Sequence, residues 1–124
     1  MNINKVILSG RLTGDPILKK LPSGNNVLTF NLETKQEFKT ASGIKEAFNF
    51  IDCVMWGNAA ENYSKHIKKG FEILIEGSLA LDSFTNQNGE KRNKHKVNVQ
   101  IVKLLSTNSN LNPVIVEELL QNEL

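Results

Sequence analysis

A chain of 124 residues holds one domain, with length for a single continuous core but not for two. An apolar fraction of 40% and a charged fraction of 23% are ordinary for a soluble globular protein, and the lone Cys53 excludes an internal disulfide and a multi-cysteine metal site. Net charge is only +2, but residues 1–105 carry all 15 Lys and Arg against 10 acids, whereas residues 106–124 carry three glutamates and no Lys or Arg. A basic body with an acidic end fits a polyanion binder whose tail avoids the polyanion. The opening Met1-Asn2-Ile3-Asn4-Lys5 leads into an interrupted, alternating stretch rather than an apolar signal segment, and no run is long enough to span a bilayer. A cytoplasmic protein is expected.

The first element, Lys5 to Leu12, is β-rich and contains Gly10, a residue suited to a bulge or a close backbone approach. Pro22-Ser23-Gly24-Asn25-Asn26 is turn chemistry. From Val27 to Glu33 the residues alternate, with Leu28, Phe30 and Leu32 on the inner face. Ala41-Ser42-Gly43 marks a loop tip, and Phe48 to Trp56 is the returning strand. Its parity puts Ile51, Cys53 and Met55 inside and Phe50, Asp52, Val54 and Trp56 outside.

A helix is predicted next, with Asn58 as N-cap, Glu61 completing a capping box, and Gly70 ending it after Lys68-Lys69. A long strand follows, with Phe71, Ile73, Ile75, Gly77, Leu79 and Leu81 on one face and Glu72, Glu76, Ser78, Asp82 and Phe84 on the other. Asn88-Gly89 is a hairpin turn, and the last strand alternates Val97, Val99 and Ile101 with Asn98 and Gln100. The order of three strands, one helix and two strands, without a βαβ repeat, predicts an all-β protein: a five-stranded OB-fold barrel with long β-hairpins. The barrel domain covers 1–105. Residues 106–124 are a short polar linker and an acidic segment, in which Asn112-Pro113 opens a short amphipathic helix pairing Ile115 with Leu119 and Val116 with Leu120.

Phe50, Trp56 and Phe84 fall on faces that a monomeric core does not need, and Phe38 lies nearby. Two readings fit these rings: an interface or second core, which Val54 between Phe50 and Trp56 supports, or stacking on unpaired nucleobases. Phe30 and Phe71 have core parity, and Phe48 fits either side. The run Lys91-Arg92-Asn93-Lys94-His95-Lys96 contains no acid and lies beside Phe84, while Lys39 and Lys45 flank the other loop tip beside Phe38 and Phe50. Rings and cations on two hairpins would form a groove wall for a single strand. His66 and His95 lack metal-ligand spacing, no phosphate-binding glycine loop is present, and Cys53 has core parity. No enzyme, cofactor or metal is expected.

The stretch Asn4-Lys5-Val6-Ile7-Leu8-Ser9-Gly10-Arg11-Leu12-Thr13-Gly14-Asp15-Pro16 resembles the opening of bacterial single-stranded DNA-binding proteins. Pro22-Ser23-Gly24, Trp56-Gly57-Asn58-Ala59-Ala60-Glu61, Lys68-Lys69-Gly70 and Ile75-Glu76-Gly77 continue the resemblance in order, over about residues 4–105. It implies an OB-fold homotetramer that wraps single-stranded DNA with little sequence preference, in replication, recombination and repair, within the nucleoid. The family's stacking positions fall on Phe38, Phe50, Trp56 and Phe84, and its basic contacts on Lys19, Lys45, Lys69 and Arg92; Lys39 lies in a loop two residues shorter than in well-known members. Lys94, in the same basic hairpin, joins the candidates. Three stacking positions are Phe where the best-known members carry Trp, which implies weaker stacks. The linker is short and the chain ends without the family's acidic Pro-Phe tip, which leaves residues 112–124 three readings: a segment that docks replication or repair proteins, one that packs on its own tetramer, or a disordered tail. Two alternatives share the fold: a protein-interaction OB module and a primosomal accessory protein.

Overall fold

The structure, a computed structural model, describes residues 1–107. Six strands and one helix follow in the order β1 (Val6–Leu12), β2 (Ile17–Lys20), β3 (Asn26–Thr40), β4 (Gly43–Trp56), α1 (Asn58–Ser64), β5 (Glu72–Thr85) and β6 (Lys91–Ser106). Sheet order is β1-β5-β6-β4-β3-β2, and β1 also pairs with β3 through Arg11↔Glu33 and Leu12↔Leu32. That pairing closes β1, β3, β4, β6 and β5 into the five-stranded OB barrel expected from the element order. The helix expected after Asn112-Pro113 lies outside the described residues.

The alternating residues do fill the barrel. Leu28, Phe30 and Leu32 of β3, Cys53 and Met55 of β4, and Ile73 and Ile75 of β5 are buried, as period-2 side-chain alternation requires. Ala60 and Tyr63 of α1, with Ile67 beyond its end, complete the core. Cys53 is 2% exposed, and burial, with Asp52 as a smaller cause, pushes its thiol pKa up to about 12.

Four local expectations are corrected. β2 is an additional short strand that pairs with β3 from Ile17↔Thr29 to Lys20↔Asn26; all four of its residues are exposed, so no burial pattern announced it. The N-cap of α1 is Gly57, at φ 97°, rather than Asn58, and no side chain caps the helix. Glu61 instead accepts a hydrogen bond from Asn26 Nδ2 at 3.4 Å. The helix ends at Ser64 with Lys65 as C-cap, so Lys68, Lys69 and Gly70 belong to the following loop, where Gly70 N–H donates to Leu12 O.

The third and fourth corrections concern the β5–β6 hairpin. Glu76 lies opposite Ile101 while Gly77 lies opposite Val99, so Gln100 is an extra residue that reverses parity. Val97 and Val99 are inside as expected, but beyond the bulge Ile101 turns outward and Val102 and Leu104 turn in. Leu79 and Leu81 keep core parity yet stand exposed, because the hairpin continues past the barrel. The β3–β4 hairpin does the same, pairing continuously from Val27↔Trp56 to Thr40↔Gly43.

Gly77 is where strands come closest. A Cβ there would stand 1.9 Å from the Asn98 carbonyl oxygen, and one at Gly10 would stand 2.4 Å from that of Glu33. Both clashes are with backbone, so glycine is required for strand approach in the barrel wall. Gly77→Ala should therefore lose about 1–3 kcal/mol in a denaturant titration. Gly14→Ala, with open space around the added carbon, should stay within about 0.5 kcal/mol of wild type. The Cys53 thiol should resist a maleimide at pH 8 in the native protein and react fully once denaturant is added.

Candidate nucleic-acid interface

Directly paired residues of neighbouring strands project from the same sheet face, so the register reads out the outer surface row by row. One row runs Ile17–Thr29–Val54–Asn98–Ser78 across β2, β3, β4, β6 and β5. Beside it lies Lys19–Val27–Trp56 on one side and Asn31–Asp52 on the other. From the second hairpin come the pairs Ala80–Lys96, Asp82–Lys94 and Phe84–Arg92 on the same face.

Part of these rows, from Ile17, Thr29, Asn31, Asp52 and Val54 to Asp82, Phe84, Lys94 and Lys96, lines a groove of about 470 Å³. Its lining includes Ile17, Phe30, Cys53 and Val54 as apolar contributors, Phe84 as an exposed ring, and Thr29, Asn31, Asp52, Asp82, Lys94 and Lys96 as polar groups. The Thr13-Gly14-Asp15 turn lines it too, and Asp15 Oδ1 accepts the Lys69 N–H at 2.9 Å, which ties the loop bearing Lys69 to this turn.

The charges inside the groove are organised. Asp52 forms an ion pair with Lys94 and accepts a hydrogen bond from Asn31 Nδ2 at 2.9 Å. Thr13 Oγ1 in turn donates to Asn31 Oδ1 at 3.1 Å. The Lys94 hydrogen bond first, then that of Asn31, holds the Asp52 carboxyl below the usual carboxylate range. Lys96 Nζ lies 3.7 Å from Asp82, and Arg92 pairs with Glu90 at 2.7 Å. On the other hairpin Lys35 bridges Glu46 at 3.0 Å and Glu37 at 3.2 Å, and those two carboxylates raise its pKa. By contrast, Lys19, Lys39, Lys45 and Lys69 have no carboxylate within ion-pair distance among the described residues.

All four rings singled out from the sequence, Phe38, Phe50, Trp56 and Phe84, are 44–59% exposed, so none is a core residue of the protomer. The structure does not put them on one flat surface. Phe84 lines the groove, and Trp56 and Phe50 share the outer face of β4 with Asp52 and Val54. Phe38, paired with Lys45, has the opposite parity and projects from the other face of the β3–β4 ribbon. Lys39, paired with Ile44, returns to the face of Phe50. Val54 is buried as groove floor rather than standing out between the rings.

Phe48, which parity assigned to neither role, shares the face of Phe50 and is exposed. It lines a second depression with Arg11, Glu33, Lys35, Glu46 and Glu72. Sequence reasoning missed Asn31 and Thr13 as groove residues, whereas Lys96 belongs to the basic run expected in the groove wall. For Asn31 a signal existed, since it alternates with the buried Phe30 and Leu32; Thr13 lies in a turn that carries no period. Among the described residues no cluster of His, Cys, Asp or Glu has the makings of a metal site.

Residues 3–105 match the model of the Single-strand binding protein family. The chain is 41% identical over 105 residues to the single-stranded DNA-binding protein of Wolinella succinogenes, covering 84% of this chain and 65% of that protein. It is 42% identical over 106 residues to single-stranded DNA-binding protein 1 of Lactococcus lactis, covering 86% of this chain and 70% of that one. The chain thus spans just under two thirds of the Wolinella relative and 62% of a Helicobacter hepaticus one. Among solved structures, a Plasmodium falciparum SSB complex with ssDNA superposes with a TM-score of 0.78 over 86% of this chain and 97% of that chain, at 22% identity. The likeness in structure establishes the same fold, and the sequence match establishes kinship: the chain belongs to the Single-strand binding protein family.

Proposed function

We propose that this protein binds and protects single-stranded DNA, largely without sequence preference, during replication, recombination and repair. The observation that carries the reading is the set of half-exposed rings, with Phe84 lining the groove, Phe50 and Trp56 on the same outer face and Phe38 on the other face of the ribbon, together with Lys19, Lys39, Lys45 and Lys69, which have no carboxylate partner among the described residues. Flat apolar surfaces left in water gain by stacking on bases, and each such stack is worth about 1–3 kcal/mol. Cations along the rim neutralise the phosphates between the bases and release their counterions. Arg92 lies beside Phe84 in register and is paired with Glu90. The relatives' names as single-stranded DNA-binding proteins support the same ligand. The role is binding rather than catalysis, in the cytoplasm where the chromosome lies. The acidic segment 112–124 is the candidate contact for replication or repair proteins.

The assembly proposed is a homotetramer. Its support is on the face of β1, β5 and β6, away from the groove, where Ile7, Glu76 and Ile101 form one row and Leu105 stands farther along. Ile7, Ile101 and Leu105 are all exposed in the protomer. Over Val6–Gly10, β1 pairs with β5 alone among the described strands, so its other edge offers unpaired backbone groups to a second copy.

Trp56 is the only tryptophan, so its emission reports directly on the site. Oligothymidylate at low salt should quench it, salt should reverse the quenching, and duplex of equal length should bind far more weakly. No quenching together with equal affinity for duplex would sink the stacking reading and favour a protein-interaction module. Trp56→Ala should cost about 1–3 kcal/mol per engaged site. Light scattering should return four times the chain mass for the wild type and a smaller species for Ile101→Glu; a monomeric wild type would reject the tetramer.

A further inference from the structure

Lys94 and Lys96 enter the groove from β6, yet each meets a carboxylate there. Asp52 pairs with Lys94 from β4, and Asp82, opposite Lys94 in register on β5, lies 3.7 Å from Lys96. Asp52 is not a loosely matched surface charge. The Asn31 amide fixes one of its oxygens, Lys94 holds the other, and Thr13 orients Asn31. A carboxylate held from two sides is therefore built into the groove that Phe84 lines, on the face of β4 that also carries Phe50 and Trp56.

A charge already neutralised within the protein has little to gain from a phosphate. Affinity for a nucleic acid strand rises with the number of phosphates whose counterions the protein releases. When a phosphate approaches Lys94 it must displace Asp52, and the bared carboxylate then repels the same phosphate. Coulomb attraction at Lys94 and repulsion at Asp52 act over nearly equal distances, so they nearly cancel. No such cancellation operates at Lys19, Lys39, Lys45 or Lys69, which have no carboxylate partner among the described residues.

We propose that Asp52 is an intramolecular competitor of the DNA phosphates, which keeps Lys94 from gripping the strand and sets the affinity below what this groove would otherwise reach. The inference rests on the single-strand reading above and adds a residue that limits binding. The strand's phosphates then follow the unpaired cations of the rim, and the middle of the groove is left to bases, which need no net charge.

The test is the anisotropy of a labelled oligothymidylate, titrated with the full chain over a series of salt concentrations. Asp52→Asn should bind up to about fivefold more tightly at low salt, the size of a close contact between unit charges in water. Its plot of log affinity against log salt should steepen by about 0.7 per engaged protomer, one further phosphate neutralised on a single strand. Lys94→Gln, which bares Asp52, should move both quantities the other way, and the double variant should return the wild-type slope. Unchanged or weaker binding by Asp52→Asn overturns the proposal, as would happen if Asp52 made a productive contact with a base edge. Failure of the wild type itself to bind at low salt overturns the single-strand reading, and this inference with it.

Discussion

Cys53 lies beside Val97 and Val54 beside Asn98, and through this parallel contact of β4 with β6 the two long hairpins join directly. Everything on the outer face inherits its position from that contact. It places Asp52 and Trp56, each two residues from Val54 on the same side of β4, within one surface with Lys94 and Lys96 of β6. On the other side of β6, Gly77 of β5 lets the backbone at Asn98 approach to a distance that no Cβ would permit. The bulge at Gln100 follows at once, so β6 buries Val97 and Val99 on one side of it and Val102 and Leu104 on the other. A strand that curves around a closed barrel needs such a break in register, because strict alternation would carry its apolar face off the core.

The proposed binding of a single strand joins two kinds of recognition with different physical demands. Stacking needs exposed rings and tolerates any base, since every base has a π-face. Phosphate neutralisation needs cations whose charge is uncompensated. Among the described residues, lysines without a carboxylate partner lie on β2, at the β3–β4 tip and in the loop after α1, whereas the lysines in the groove are compensated by Asp52 and Asp82. A binder of this kind draws its affinity from many modest contacts rather than from one deep pocket.

Much of the barrel was legible because its signals are local. Leu28, Phe30 and Leu32 alternate with polar residues, as do Cys53 and Met55, and these residues are the core. The exposure of Phe50, Trp56 and Phe84 followed from the same parity. What escaped was set by pairing rather than by composition. β2 buries nothing, so its pairing with β3 leaves no mark in its own residues. The reversal at Gln100 comes from the partner strand, and no property of Ile101 distinguishes it from Val102. Asn58 and Glu61 have the chemistry of a capping box, but Gly57 takes the cap and Glu61 turns to Asn26. Phe38 is on the opposite face of its ribbon from Phe50, which became visible only once the register was known. The Asp52–Lys94 pair joins two hairpins and has no sequence spacing by which to find it.

Because both hairpins continue past the barrel, the residues proposed to carry binding are largely not those that carry stability. Phe38, Phe50 and Phe84 contribute little to the core, which is closed beneath them by Leu28, Leu32, Met55, Ile73 and Ile75. On the single-strand reading their burial would wait until a ligand supplied the second surface, so hydrophobic gain that most proteins realise on folding would be realised on binding. Val54 is the exception, since it is buried in the protomer and also lines the groove. At that point floor and fold are one residue. The ion pairs at its edge are partly exposed and of small value to folding, so the effect proposed for Asp52 and Lys94 on a bound strand is separable from stability.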